Sequence, residues 1–146
     1  MQQPRETRLW ICYVAVAMSL GAAAVHIWVV PEHFREWWGY GTFFLVAALA
    51  QGLYGIALLK LAGRWLYPIG IAGNLAIIVL YVVTRTDGIP LLGPHAGEVE
   101  QLSAIGMASK LVEIILVFAL IALWRTTAAR PTGKPTGPVE TREARP

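Results

Sequence analysis

Four apolar stretches, over about 9–30, 42–61, 66–84 and 103–124, organise the chain, and charged residues are almost absent from them. A helix rises 1.5 Å per residue, so about 20 residues cross the ~30 Å hydrocarbon core of a bilayer. Each stretch is close to that length. A helix buried in a water-soluble core would be shorter and would show a polar face. The pattern therefore predicts an all-α fold, a four-helix transmembrane bundle over 9–125. A short N-terminus, 1–8, and a C-terminal tail, 126–146, flank it. The tail is rich in Pro, Thr, Gly and charge and has little to bury, so it is expected to be disordered.

The polar connections set an orientation. Arg5 and Arg8 precede the first stretch, Lys60 and Arg64 flank the second connection, and Arg125, Arg130, Lys134, Arg142 and Arg145 follow the last stretch. The first and third connections hold only Arg35 and Arg85, beside Glu32, Glu36, Asp87, Glu98 and Glu100. By the positive-inside rule both chain ends face the cytoplasm, in an inner (plasma) membrane. Trp10, Trp65, Tyr67 and Trp124 fall at the expected inner border, and Trp28, Trp37, Trp38, Tyr40 and Tyr81 at the outer one. A cleavable signal peptide ending near Ala22-Ala23-Ala24 is the rival for the first stretch. That stretch, however, continues to Val30.

The first outer connection reads Pro31-Glu32-His33-Phe34-Arg35-Glu36-Trp37-Trp38-Gly39-Tyr40-Gly41. Proline suits a first helical position and an acid suits the first turn. Phe34, Trp37 and Trp38 then share a face, which predicts a short interfacial helix. The second outer connection, 85–102, carries Gly88, Pro90, Gly93, Pro94 and Gly97 and predicts an irregular lid-like loop. On the inner side Ala62-Gly63-Arg64-Trp65 is a tight turn that makes helices two and three antiparallel neighbours. The pairs Ser19/Ala23, Ala48/Gly52 and Ala104/Ala108 have the four-residue spacing that lets helices approach closely in lipid.

Composition agrees with this picture. Hydrophobic residues make up 56% and charged residues 14%, against about 25% charged in soluble domains. The net charge of +3 resides mainly in the inner segments and points to anionic lipid rather than nucleic acid. No nucleic-acid-binding motif is present. The one cysteine, Cys12, excludes an intramolecular disulfide; it reads as a small apolar residue, with palmitoylation as the alternative.

The candidate chemistry lies in two groups. Within the spans, Gln51, Asn74, Lys110 and Glu113 accompany His26 near the outer border. Charged residues at mid-membrane cost about 2.5–3.5 kcal/mol each on insertion scales, so they should face the bundle interior and find partners. Lys110 and Glu113, three apart, share a helix face. Counted from the outer ends, Lys110, Gln51, Asn74 and Glu113 lie about 10–15 Å deep. This shared depth predicts an outward-facing polar pocket that binds a small hydrophobic ligand or a lipid. The second group is His26, His33, Glu36 and His95 on the outer side, an imidazole–carboxylate set suited to a metal. It supports an alternative, a metal- or haem-dependent redox protein. A third reading is a structural subunit of a homo-oligomer or larger membrane complex. No Walker A, GxSxG or CxxCH motif is present, so no catalytic residue or required cofactor is indicated.

The residues from His26 to Phe44, with Tyr81-Val82-Val83-Thr84-Arg85-Thr86-Asp87-Gly88-Ile89-Pro90 and Gly93-Pro94-His95-Ala96-Gly97-Glu98-Val99-Glu100, carry a resemblance. In them the chain resembles a group of uncharacterised four-helix bacterial integral membrane proteins. In size and span count it is also similar to the DoxX-like membrane proteins. The resemblance implies the four-helix architecture and assigns no activity.

Overall fold

The computed structural model describes residues 3–61, 63–88 and 93–128. They form four helices: α1 (Gln3–Glu36), α2 (Trp38–Lys60), α3 (Leu66–Thr86) and α4 (Ala104–Ala128). There is no strand among them. All four helices are long and apolar enough to cross a membrane. The first three residues of the expected tail belong to α4; the rest of it, 129–146, lies outside the described residues, as do Ala62 in the turn and 89–92 in the second loop.

The distribution of side chains is the reverse of a water-soluble protein. Trp28 is 77% exposed, Phe118 68% and Leu53 67%, whereas Glu113 and Ser19 are fully buried. Lipid tails solvate apolar surface without penalty, while polar groups at that depth must find partners inside. Buried positions on α4 fall at Ser109, Glu113, Leu116, Leu120 and Leu123, one helical face repeated every three or four residues.

Helices α1 and α2 are joined by a single extended residue, Trp37 (φ −167°, ψ 137°). The first connection therefore corrects an expectation. Residues 31–36 are helical, but as the last turns of α1 rather than as a separate interfacial helix. Proline removes one helical hydrogen bond, yet its ring holds φ at a helical value. Pro31 thus lets α1 run on, and the break comes at Trp37. Trp37 N–H still donates to His33 O (2.9 Å), and Tyr40 and Gly41 N–H both bond Trp37 O. Gly41 lies directly under the Phe34 ring, where any Cβ would collide with it. This close approach is what folds α2 back beside α1 within one residue.

The α1–α2 interface is the most extensive in the bundle; α1 also packs on α4 and α4 on α3. The reason for the close α1–α2 contact is size. Ala15, Ser19, Ala22 and Ala23 of α1 and Ala47, Ala48 and Gly55 of α2 are all buried. A Cβ on Gly55 would meet the Leu20 side chain at 3.2 Å and Ser19 Cβ at 3.4 Å, so the missing side chain is what lets α1 side chains pack onto the α2 backbone there. The spaced pairs Ser19/Ala23 and Ala48/Gly52 both lie in this seam, and Ala104/Ala108 lies on an exposed face of α4. In contrast, α2 and α3, although joined by a short turn, make the slightest contact of any packed pair. Their hydrogen bonds, Tyr54 Oη to Leu66 O (2.8 Å) and Gln51 Nε2 to Asn74 Oδ1 (3.2 Å), lie in the halves nearest the turn.

Along its axis the bundle is layered. At the end where the chain begins and α4 finishes, Ala15, Val16, Leu58, Leu116, Leu120 and Leu123 form an apolar core. The next layer is Ser19, Gln51 and Asn74. The layer after that is His26, Ser109, Lys110 and Glu113. Above it, toward the Trp37 corner, a cavity opens.

Candidate functional site

The charged layer is built by α1 and α4. Lys110 Nζ donates to Glu113 Oε2 at 2.5 Å, one helical turn apart. The other carboxylate oxygen, Oε1, lies 3.4 Å from His26 Nε2. Ser109 Oγ stands 3.4 Å from both that oxygen and His26 Nε2. Glu113 thus joins a cation, an imidazole and a hydroxyl, while its own side chain is wholly buried. At such depth a carboxylate is tolerable only with this many partners.

The amide layer lies one turn deeper. Ser19 Oγ donates to Gln51 O (2.6 Å), and Asn74 Nδ2 donates to Gly70 O (2.8 Å) on its own helix. Gln51 also lies within interaction range of the His26 ring and the Glu113 carboxylate. The two layers are therefore one network that draws on all four helices.

The cavity above the network has a volume of about 260 Å³. His26, Ser109 and Lys110 form its floor, and Phe43, Phe44 and Tyr81 its walls. The His33 ring sits against Phe44, with centroids 4.1 Å apart. At the mouth, Trp37, Tyr40, Arg85 and Glu100 come from the corner and the second loop. Arg85 ties that loop down. Its Nη1 lies 2.7 Å from Glu100 Oε2 and 2.6 Å from Thr84 Oγ1, and its guanidinium is stacked 4.2 Å above the Tyr81 ring. Glu100 N–H donates to Thr84 O (2.9 Å). Gly88, at φ +69°, takes a left-handed turn that brings the backbone of Gly97 and Glu98 back against α3. A side chain at that position would be strained and would strike those backbone atoms.

Of the five residues expected to line a pocket, the structure places His26 and Lys110 on the cavity surface. Glu113 lies directly beneath them, and Gln51 and Asn74 are buried a layer deeper. Ser109, Tyr81, Arg85, Glu100 and Phe44 complete the site and were not singled out by sequence. Ser109 is an ordinary helix residue and Phe44 an ordinary apolar one. Arg85 and Glu100 had a signal in their opposite charges at the two ends of one loop.

Of the outer-side set His26, His33, Glu36 and His95, only His26 and His33 come near one another, both against the Phe44 ring. His33 turns its Nδ1 to Val29 O of its own helix (2.8 Å). His95 pairs with Glu98 on an exposed stretch of loop (2.9 Å), and Glu36 is exposed at the end of α1. Among the described residues no three His, Cys, Asp or Glu side chains form a group that could hold a metal ion. Comparison with family models, with curated proteins and with solved structures gives no match to this chain.

Proposed function

We propose that this protein is a multi-pass membrane protein that holds a small amphiphilic molecule in the cavity between its helices. The observation that carries this reading is the contrast within one bundle. The outside is apolar, and the cavity floor is made of buried polar and charged groups that reach it from inside. A cavity of this kind, mostly apolar with a few convergent polar groups, is the usual form of a small-molecule site. Packing alone needs no void above the network.

Native mass spectrometry of the protein released from mild detergent tests the reading. The expected result is a stoichiometric small-molecule adduct that disappears in Val29→Trp, which fills the cavity. A bare chain, or an adduct indifferent to that substitution, would count against it.

The arrangement of Lys and Arg supports an orientation with both chain ends in the cytoplasm and the cavity toward the outside of the plasma membrane. In a Cys12→Ser background, His95→Cys is then expected to react with a membrane-impermeant maleimide on intact cells. Labelling only after lysis would reverse the orientation.

A further inference from the structure

Resting on the reading of the cavity as a ligand site, we infer that its ligand is an uncharged, carbonyl-bearing ring on a lipid tail, the chemistry of a quinone. Four features of the site lead there.

The first is charge balance. The two cations at the cavity, Lys110 and Arg85, each already hold a carboxylate, Glu113 at 2.5 Å and Glu100 at 2.7 Å. An anionic head would have to break one of these pairs or enter without a counter-charge, and a buried charge without a partner is heavily penalised. A neutral head disturbs neither pair.

The second is hydrogen-bonding sense. Three residues of the cavity lining carry a buried polar atom with no partner: His26 Nδ1, Tyr81 Oη and Arg85 Nε. Tyr81 Oη and Arg85 Nε are donors, whereas His26, whose Nε2 faces the Glu113 carboxylate, presents Nδ1 as an acceptor while its ring is neutral. Lys110 has three N–H donors and gives one to Glu113. The lining is thus rich in donors and its carboxylates are engaged, so the missing partner is an acceptor such as a carbonyl oxygen.

The third is shape. Phe43, Phe44, Tyr81, Trp37 and His33 supply flat faces around the cavity. Benzene fits a cavity of roughly 150 Å³. The 260 Å³ here accommodates a substituted six-membered ring and leaves no room for a long tail.

The fourth is the exit for that tail. The described part of the second loop, 93–102, is held at the mouth, with Glu100 bound to Arg85 and Gly93 seated on the Tyr40 hydroxyl. Two of the walls come from α2 (Phe43, Phe44) and α3 (Ile77, Leu80), the two packed helices with the least contact between them. A tail leaving between them meets lipid.

The test uses the full chain in lipid nanodiscs, titrated with decylubiquinone, decylbenzene and dodecyl phosphate. Decylubiquinone is expected to saturate at one per chain. Decylbenzene, with ring and tail but no carbonyl, is expected to bind at least tenfold more weakly, and dodecyl phosphate no better than decylbenzene. Tyr81→Phe is expected to weaken the quinone about fivefold, the effect of one hydrogen bond. Phe44→Leu, which keeps an apolar wall and removes a ring, is expected to weaken it severalfold, so the outcome does not depend on one variant folding. Tighter binding of dodecyl phosphate would overturn the uncharged ligand and leave the cavity as a site. Equal binding of decylbenzene and quinone would overturn the role of the donors. Failure of all three probes to saturate a folded chain would overturn the proposal together with the ligand-site reading itself.

Discussion

Lys110→Met and Glu113→Leu are each expected to lower the stability of the folded bundle by about 3–5 kcal/mol, while the double substitution recovers most of the loss. The reason is the asymmetry of a buried ion pair. Lys110 and Glu113 are 2.5 Å apart and almost wholly enclosed. Removing Glu113 leaves the buried Lys110 ammonium without its carboxylate, and removing Lys110 leaves Glu113 with only an imidazole and a hydroxyl beside it. Removing both leaves no unpaired charge in the layer, where only His26 and Ser109 remain as polar groups. His26 complicates the two arms that lack Glu113. Loss of Glu113 also strips the imidazole of its 3.4 Å partner, so Glu113→Leu should be the worse of the two single variants. Reversible unfolding in mixed micelles, run as a double-mutant cycle, measures the coupling. Losses that simply add in the double variant would show that the pair does not act as a unit.

The second large effect is expected at the α1–α2 seam. Ser19 is fully buried, and its hydroxyl donates to Gln51 O at 2.6 Å. Its Cβ lies 3.4 Å from where a Cβ on Gly55 would stand. Ser19→Ala removes one hydrogen bond, worth about 0.6 kcal/mol within a membrane. Ser19→Leu adds three carbons at a fully buried position, and overpacking of this kind costs about 1–3 kcal/mol. It also forces α1 from α2 near the layer that carries the polar network. The same unfolding measurement separates the two. Equal losses for Ser19→Ala and Ser19→Leu would mean that the seam is looser than its contacts indicate.

Much of this architecture was legible in the residues. A run of about 20 apolar side chains in lipid has one stable backbone solution, because every N–H and C=O must be satisfied within the segment. That is why the four helices could be read from hydropathy alone, and why Gln51, Asn74, Lys110 and Glu113 could be assigned to the interior by their cost elsewhere. Helix ends were less legible. Pro31 reads as a helix start in sequence, yet its backbone angle serves equally well inside a helix. The corner instead falls at Trp37, an aromatic residue with no turn preference, because Gly41 permits the close approach to Phe34 that a turn there requires.

What the sequence determined by itself is therefore the number of helices, their apolar surfaces and the identity of the polar groups that must turn inward. These follow from one-dimensional quantities: run length, hydropathy and charge. The tertiary structure alone decided which of those groups meet. It split five residues expected around one pocket into a cavity floor, the carboxylate beneath it and a buried amide layer, and it left His95 away from the cavity that His26 and His33 line. It also made α2 and α3, neighbours through a short turn, the least closely packed pair. The physical reason is that packing depends on side-chain size at facing positions. Small residues draw α1 and α2 together, and no matching stripe draws α3 to α2. The cavity is lined by all four helices, and no single stretch of the chain contains it.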